Sequence, residues 1–216
     1  MKLSPQKKGE LDRLLSFLDT HANDLGAIDQ SAAFLYQKGL PMDAALAAYE
    51  HYLERQPASA TAAFNFAWYL ARDGQPEAAI RMYRRALELG IDGPEEVHLN
   101  IGNIWMDQLL DNEKARAAFN DALAVKPDYA GAYHNLGNLE EQAGNRDQAA
   151  ACFRKCLDLE PDNHSALAHL ADTHRFTDAD DPLLGQLEEH GATSADSDLH
   201  FALQLSGNCA QDASIT

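Results

Sequence analysis

The chain has 216 residues, enough for one domain with a substantial core or two small ones, and alanine and leucine dominate its apolar residues. With only eight prolines to interrupt them, that mixture favours helix over sheet. A formal net charge of −17 excludes a general nucleic-acid binder, which needs a basic face against phosphate, and no stretch has the length and apolarity of a membrane span.

At the N-terminus, "MKLSPQKKGELDR" has no apolar run and reads as neither a signal peptide nor a span. Residues 1–24 predict a capping helix, because Leu11, Leu14, Leu15 and Leu18 fall on one face. From residue 25 the chain repeats itself every 34 to 36 residues. A small residue recurs in a first-helix slot at Ala32, Ala67, Gly102, Gly137 and Ala171, and a second small slot holds Ala45, Ala79, Ala115 and Ala149. Four residues beyond each of the latter stands an aromatic: Tyr49, Tyr83, Phe119 and Phe153. Leucine follows four later, at Leu53, Leu87, Leu123 and Leu157. A spacing of four keeps these side chains on one helical face, where small residues let two helix axes approach and the aromatic fills the space beside them. Each period therefore predicts a helical hairpin. The units run 25–59, 60–94, 95–129 and 130–163, with a partial fifth at 164–176 whose sequel "RFTDADDPLL" supplies no second helix in register. Residues 177–216 predict C-terminal capping helices, at 182–190 and 195–207, and a frayed end.

The pattern resembles the tetratricopeptide repeat, two antiparallel helices per unit with proline at the exit, here Pro57, Pro127 and Pro161. The resemblance implies an all-α, right-handed helical-hairpin solenoid of four full repeats plus the partial fifth, capped by helices at both ends. "GIDGPEEVHLNIGNIWMDQLLDNEKARAAFNDALAVKPDYAGAYHNLGNLEEQAGN", and later "FTDADDPLLGQLEEH" and "DLHFAL", are similar to the repeat region of bacterial tetratricopeptide-repeat sulfotransferases. That likeness covers most of residues 25–203. In that family such a region precedes a catalytic domain that uses the sulfate donor PAPS. Here no G-x-x-x-x-G-K-S/T or G-x-G-x-x-G pattern follows a strand and opens a helix. The resemblance thus implies a recognition half, and no catalytic residue is carried over.

Tests for other chemistry return little. Of nine histidines, none forms H-E-x-x-H, and His164, His169 and His174 advance five at a time, which turns them away from one another on a helix. No metal site, cofactor or nucleophile motif is expected. Cys152, Cys156 and Cys209 have no disulfide-framework spacing, which suits a reducing cytoplasm. Cys156 takes the slot of Ala86 and Ala122, a small core position. The pairs Glu140-Glu141 and Glu188-Glu189 read as solvated surface, and Arg81, Arg84 and Arg85 as an exposed cluster on a second helix.

One polar pattern stands out. Gln30, Asn65, Asn100 and Asn135 recur every 35 residues in one first-helix slot, and His169 follows at 34. Asn103, Asn138 and Asp172 form a second column three residues later, on the same face. The column resembles the asparagine ladder in the repeat superhelix of O-GlcNAc transferases, which grips the backbone of an extended peptide in the concave groove. In the alternative, some of these asparagines bond only to neighbouring helices, Asn65 above all, since it stands between Phe64 and Phe66. The expected function is a non-enzymatic module that binds an extended segment of another protein. Residues 161–216 carry one basic and ten acidic residues, which read first as solvated surface and in the alternative as suited to a basic partner segment. The rival readings are the substrate-recognition region of a sulfotransferase and a scaffold that joins copies of itself.

Overall fold

The computed structural model describes residues 5–173 together with Leu183 and Leu187. Among the described residues there are ten helices and no strand: α1 (Pro5–Thr20), α2 (Leu25–Lys38), α3 (Asp43–Arg55), α4 (Ala60–Arg72), α5 (Pro76–Glu88), α6 (Pro94–Asp107), α7 (Asn112–Val125), α8 (Ala130–Gln142), α9 (Arg146–Leu159) and α10 (His164–Thr173). They fall into two compact units, divided between Ile104 and Trp105 inside α6. In the first unit α2 pairs with α3 and α4 with α5, while α1 lies against α2 and α3. In the second, α8 pairs with α9, α7 lies against α8, and α10 packs on α9.

Local chemistry sets the helix ends. Asp24, Ser59, Asp111 and Asn163 each accept a hydrogen bond from the backbone N–H three residues on, capping α2, α4, α7 and α10. Pro76 opens α5, where its missing N–H costs nothing. Glycines in the left-handed region follow α2, α4 and α8, at Gly39, Gly74 and Gly144. After α6 the turn is one residue longer: Asp111 N–H bonds to the Trp105 carbonyl six positions back, whereas Gln75 reaches Leu70 and Asn145 reaches Glu140, five back. The left-handed position there falls on Leu110, at φ 54° and 77% exposed. A left-handed leucine costs ~1–2 kcal/mol, partly offset by the chain entropy that glycine would lose. Leu110→Gly should therefore raise stability, by about 0.5–1 kcal/mol in chemical denaturation.

The alternation of small and aromatic residues forms the core. Ala45, Ala79, Ala115 and Ala149 are fully buried, as are Tyr49, Tyr83, Phe119 and Phe153 four residues on. Leu53 is buried too, whereas Leu87, Leu123 and Leu157 are half-buried. Cys156 is buried in the alanine slot. On α1 only Leu18 of the four expected leucines is fully buried, and Leu15 is largely exposed. Leu183 and Leu187 are helical and buried, joining Phe153, Leu167 and Leu170 in one cluster. They follow Ala171 at the offsets by which Ala149 and Phe153 follow Gly137. Both fall within the stretch 182–190 for which the sequence predicts a helix. The rest of the expected capping region, 177–216, lies outside the described residues.

Candidate peptide-binding surface

In the first unit the first-helix column begins on α2 and α4. Gln30 is exposed, while Asn65, and Asn100 and Asn103 on α6, are half-buried. The Asn65 amide donates to Asp29 Oδ2 at 2.9 Å. The other Asp29 oxygen accepts from the Tyr49 hydroxyl, reaching over from α3. Burial, then Asp29, pushes the Tyr49 phenol well above its ordinary range, so it remains a donor at any physiological pH. Asp29 thus orients Asn65 and ties the column to the core. Sequence reasoning missed Asp29 because its slot reads Asp29, Phe64, Leu99, His134, which has no recurring type.

In the second unit Asn135, Asn138 and His169 gather around His134. The Asn138 amide lies 3.4 Å from His134 Nδ1, as does Asn135 Oδ1. His134 Nε2 lies 3.2 Å from the Ser165 hydroxyl. Burial holds the His134 pKa below the ordinary histidine value, which keeps the ring neutral at pH 7. A neutral ring with its proton on Nε2 donates to Ser165 and accepts from Asn138 at Nδ1, and with its proton on Nδ1 it donates to Asn135 Oδ1 and accepts from the Ser165 hydroxyl. His169 stacks on Phe153 (centroids 5.2 Å apart, planes at 11°) and its Nδ1 lies 3.0 Å from Glu141 Oε2. Asp172 is exposed. Asn138 Oδ1 is buried without a hydrogen-bond partner. Among the described residues no group of three or more His, Cys, Asp or Glu could hold a metal, and no helix is long and apolar enough to cross a membrane.

The opposite side of α8 corrects the reading of Glu140-Glu141 as solvated surface. Glu140 is 6% exposed. Arg116 Nε donates to its Oε1 at 2.6 Å and Asn145 Nδ2 to its Oε2 at 2.6 Å, while Arg116 Nη1 reaches Glu113 at 2.9 Å. These donors, Arg116 foremost, hold the Glu140 carboxyl below the usual carboxylate range. The pair sits in a cleft of about 570 Å³ floored by Leu136 and Glu140 and walled by α7 and α9. Burial pushes the Cys152 thiol in that wall up to about 11, so it is a poor nucleophile at neutral pH.

Models of the tetratricopeptide repeat match residues 35–95 and 130–163. The chain carries tetratricopeptide repeats. Tetratricopeptide repeat protein 8 of Caenorhabditis elegans is 34% identical over 103 residues, which make up 45% of this chain and 19% of that protein. The chain spans less than a third of the length of the curated relatives it matches. Among solved structures, PilW, described as a widely conserved type IV pilus biogenesis factor, aligns with TM-score 0.67 at 21% identity, covering 91% of this chain and 90% of that one. YrrB, described as a repeat protein with an unusual peptide-binding site, aligns with TM-score 0.58 at 18% identity, covering 90% of this chain and 97% of that one. These likenesses fix the fold as an all-α tetratricopeptide-repeat fold.

Proposed function

We propose that this chain is a non-enzymatic interaction module whose first helices bind an extended segment of a partner protein. The repeated polar slot carries the reading: Asn65, Asn100 and Asn135 hold the same place in three repeats, each half-buried. An asparagine amide both donates and accepts, so it matches the N–H and C=O of an extended backbone and reads chain path more than side-chain identity. The net charge of −17 favours a partner segment rich in Lys and Arg. The free thiols of Cys152 and Cys156 suit a reducing compartment such as the cytoplasm.

Asn65 already donates to Asp29, so the cleaner test changes Asn100 and Asn135. Each backbone contact is worth ~0.5–1.5 kcal/mol net, because water satisfies the free groups. The Asn100→Ala, Asn135→Ala double variant should therefore keep its helical circular dichroism and bind proteins captured by the wild type on the order of 10- to 100-fold more weakly. Unchanged affinity in a folded double variant would move the site elsewhere. Unfolding would make the asparagines structural. A second reading, the recognition region of a PAPS-dependent sulfotransferase, rests on the sequence likeness over residues 25–203. PAPS itself should not bind this chain in calorimetry, since the sequence has neither a G-x-x-x-x-G-K-S/T nor a G-x-G-x-x-G phosphate-cradling pattern.

A further inference from the structure

We infer that Arg72 and Tyr36 form a subsite for an acidic side chain, Asp or Glu, on the bound segment. This rests on the peptide-binding reading above and adds a register to it. Asn65, Trp68 and Arg72 stand at i, i+3 and i+7 along α4, one stripe of the helix that carries the column. The Arg72 guanidinium lies over the Trp68 ring, 3.1 Å from its centroid, and Nη1 donates to the Trp68 carbonyl at 3.3 Å. Tyr36 crosses from α2 to meet the edge of Trp68 at 5.4 Å, and Tyr69 meets it from another side at 4.8 Å. Trp68 is half-buried in this cluster, whereas Arg72 is exposed and Tyr36 is 47% exposed.

Arg72 is fixed by stacking and not by an acid. The chain has 34 acidic residues to 17 Lys and Arg, so carboxylates are in twofold excess. Yet among the described residues none pairs with Arg72: Asp73 accepts from Gln75, and both Asp29 oxygens are taken by Tyr49 and Asn65. Arg55 and Arg85 instead anchor loops through the Ala22 and Pro57 carbonyls. A guanidinium held over an indole, with Nη1 given to the Trp68 carbonyl, has Nε and Nη2 left to donate and loses little entropy on meeting a carboxylate. The Tyr36 ring beside it takes the methylenes of the same side chain. On a surface of opposite overall sign, one ordered cation selects an acidic residue at one place in a segment that is otherwise neutral or basic. That choice fixes the register of the segment, which backbone contacts to asparagine leave loose.

The test uses random peptides displayed on phage, each fused through its C-terminus so that only side chains offer carboxylates. Selection on the wild-type chain should enrich peptides with Asp or Glu at one fixed position. Arg72→Glu should bind those peptides at least about tenfold more weakly and select Lys or Arg at that position, while Arg72→Lys retains part of the affinity. Arg72 is exposed, and circular dichroism of each variant checks that the helices persist. If the enriched peptides lack an acidic position, or bind Arg72→Glu as well as the wild type, the subsite is overturned. If in that case they still fail on the Asn100→Ala, Asn135→Ala protein, the groove reading stands without it. If no peptide is enriched, or the double asparagine variant binds them fully, the groove reading falls and the subsite with it.

Discussion

Replacing Gly137 by alanine should destabilise the protein, although inside an isolated helix the same change stabilises by about 1 kcal/mol. A Cβ at Gly137 would lie 2.6 Å from Phe153 Cε1, 2.8 Å from Cδ1 and 2.9 Å from Cζ. Phe153 is fully buried, and its ring has nowhere to retreat, with His169 stacked on it and the edge of His134 at 6.0 Å. Overpacking of this kind costs ~1–3 kcal/mol, so the clash outweighs the gain in helix propensity. Gly137→Leu should cost about 3 kcal/mol or more, since three further carbons must fit where α8 and α9 cross. Combining Gly137→Ala with Phe153→Leu should recover part of the loss. Urea denaturation gives the sign, and hydrogen exchange should accelerate first in residues 130–159, because repeat stability is nearly a sum of local terms. A Gly137→Ala protein as stable as the wild type would mean that α8 and α9 do not cross this closely.

That close approach was legible in the sequence because packing between helices is periodic. Small residues and aromatics recur at fixed offsets, and Ala149, Phe153 and Gly137 are one instance of a pattern written four times. What was not legible lay at positions where one repeat departs from the others. Leu183 and Leu187 fall in the expected helix 182–190, but as leucines at a small slot and an aromatic slot they gave no sign of the repeat's spacing, though both are buried. Leu110 stands where three other turns use glycine, in a turn that is one residue longer.

The polar column divides in the same way. Recurrence at 35 residues revealed Asn65, Asn100 and Asn135, but gave no hint that Asp29 would hold Asn65 or that His134 would stand between Asn135 and Asn138. Those contacts pair neighbouring turns or helices through residues that each occur in one repeat only. Glu140 shows the limit most clearly. Next to Glu141 in sequence it reads as one of two surface acids, yet the helical turn of about 100° per residue sends one to each side of α8. Glu141 meets His169, while Glu140 meets Arg116, contributed by the preceding repeat.

The consequences of that pairing are asymmetric, and the asymmetry can be measured. Arg116→Ala removes the main donor from a carboxylate that is 6% exposed and leaves it Asn145 alone. An uncompensated buried charge of this kind costs ~3–5 kcal/mol. Glu140→Ala leaves a guanidinium that is 28% exposed and still bonded to Glu113, so its loss should be smaller, about 1–2 kcal/mol. Changing both at once, Arg116→Met with Glu140→Leu, should cost less than Arg116→Ala alone, because no charge is then stranded. The pH dependence follows from the shifts. In the wild type Glu140 sits below the usual carboxylate pKa, so its contribution is present above about pH 4.3 and is lost as the pH falls through the folded value. Without Arg116, burial would raise the same carboxyl above its unfolded pKa, and the variant would then bind a proton on folding. Its deficit against the wild type should be largest at neutral pH and shrink in acid as Glu140 of the variant takes up its proton, while the wild-type carboxylate is still ionised. Denaturation of the two proteins between pH 7 and pH 4 reads this directly. A deficit that stays constant over that range would show that Glu140 is solvated after all, and that the cleft closes without the ion pair.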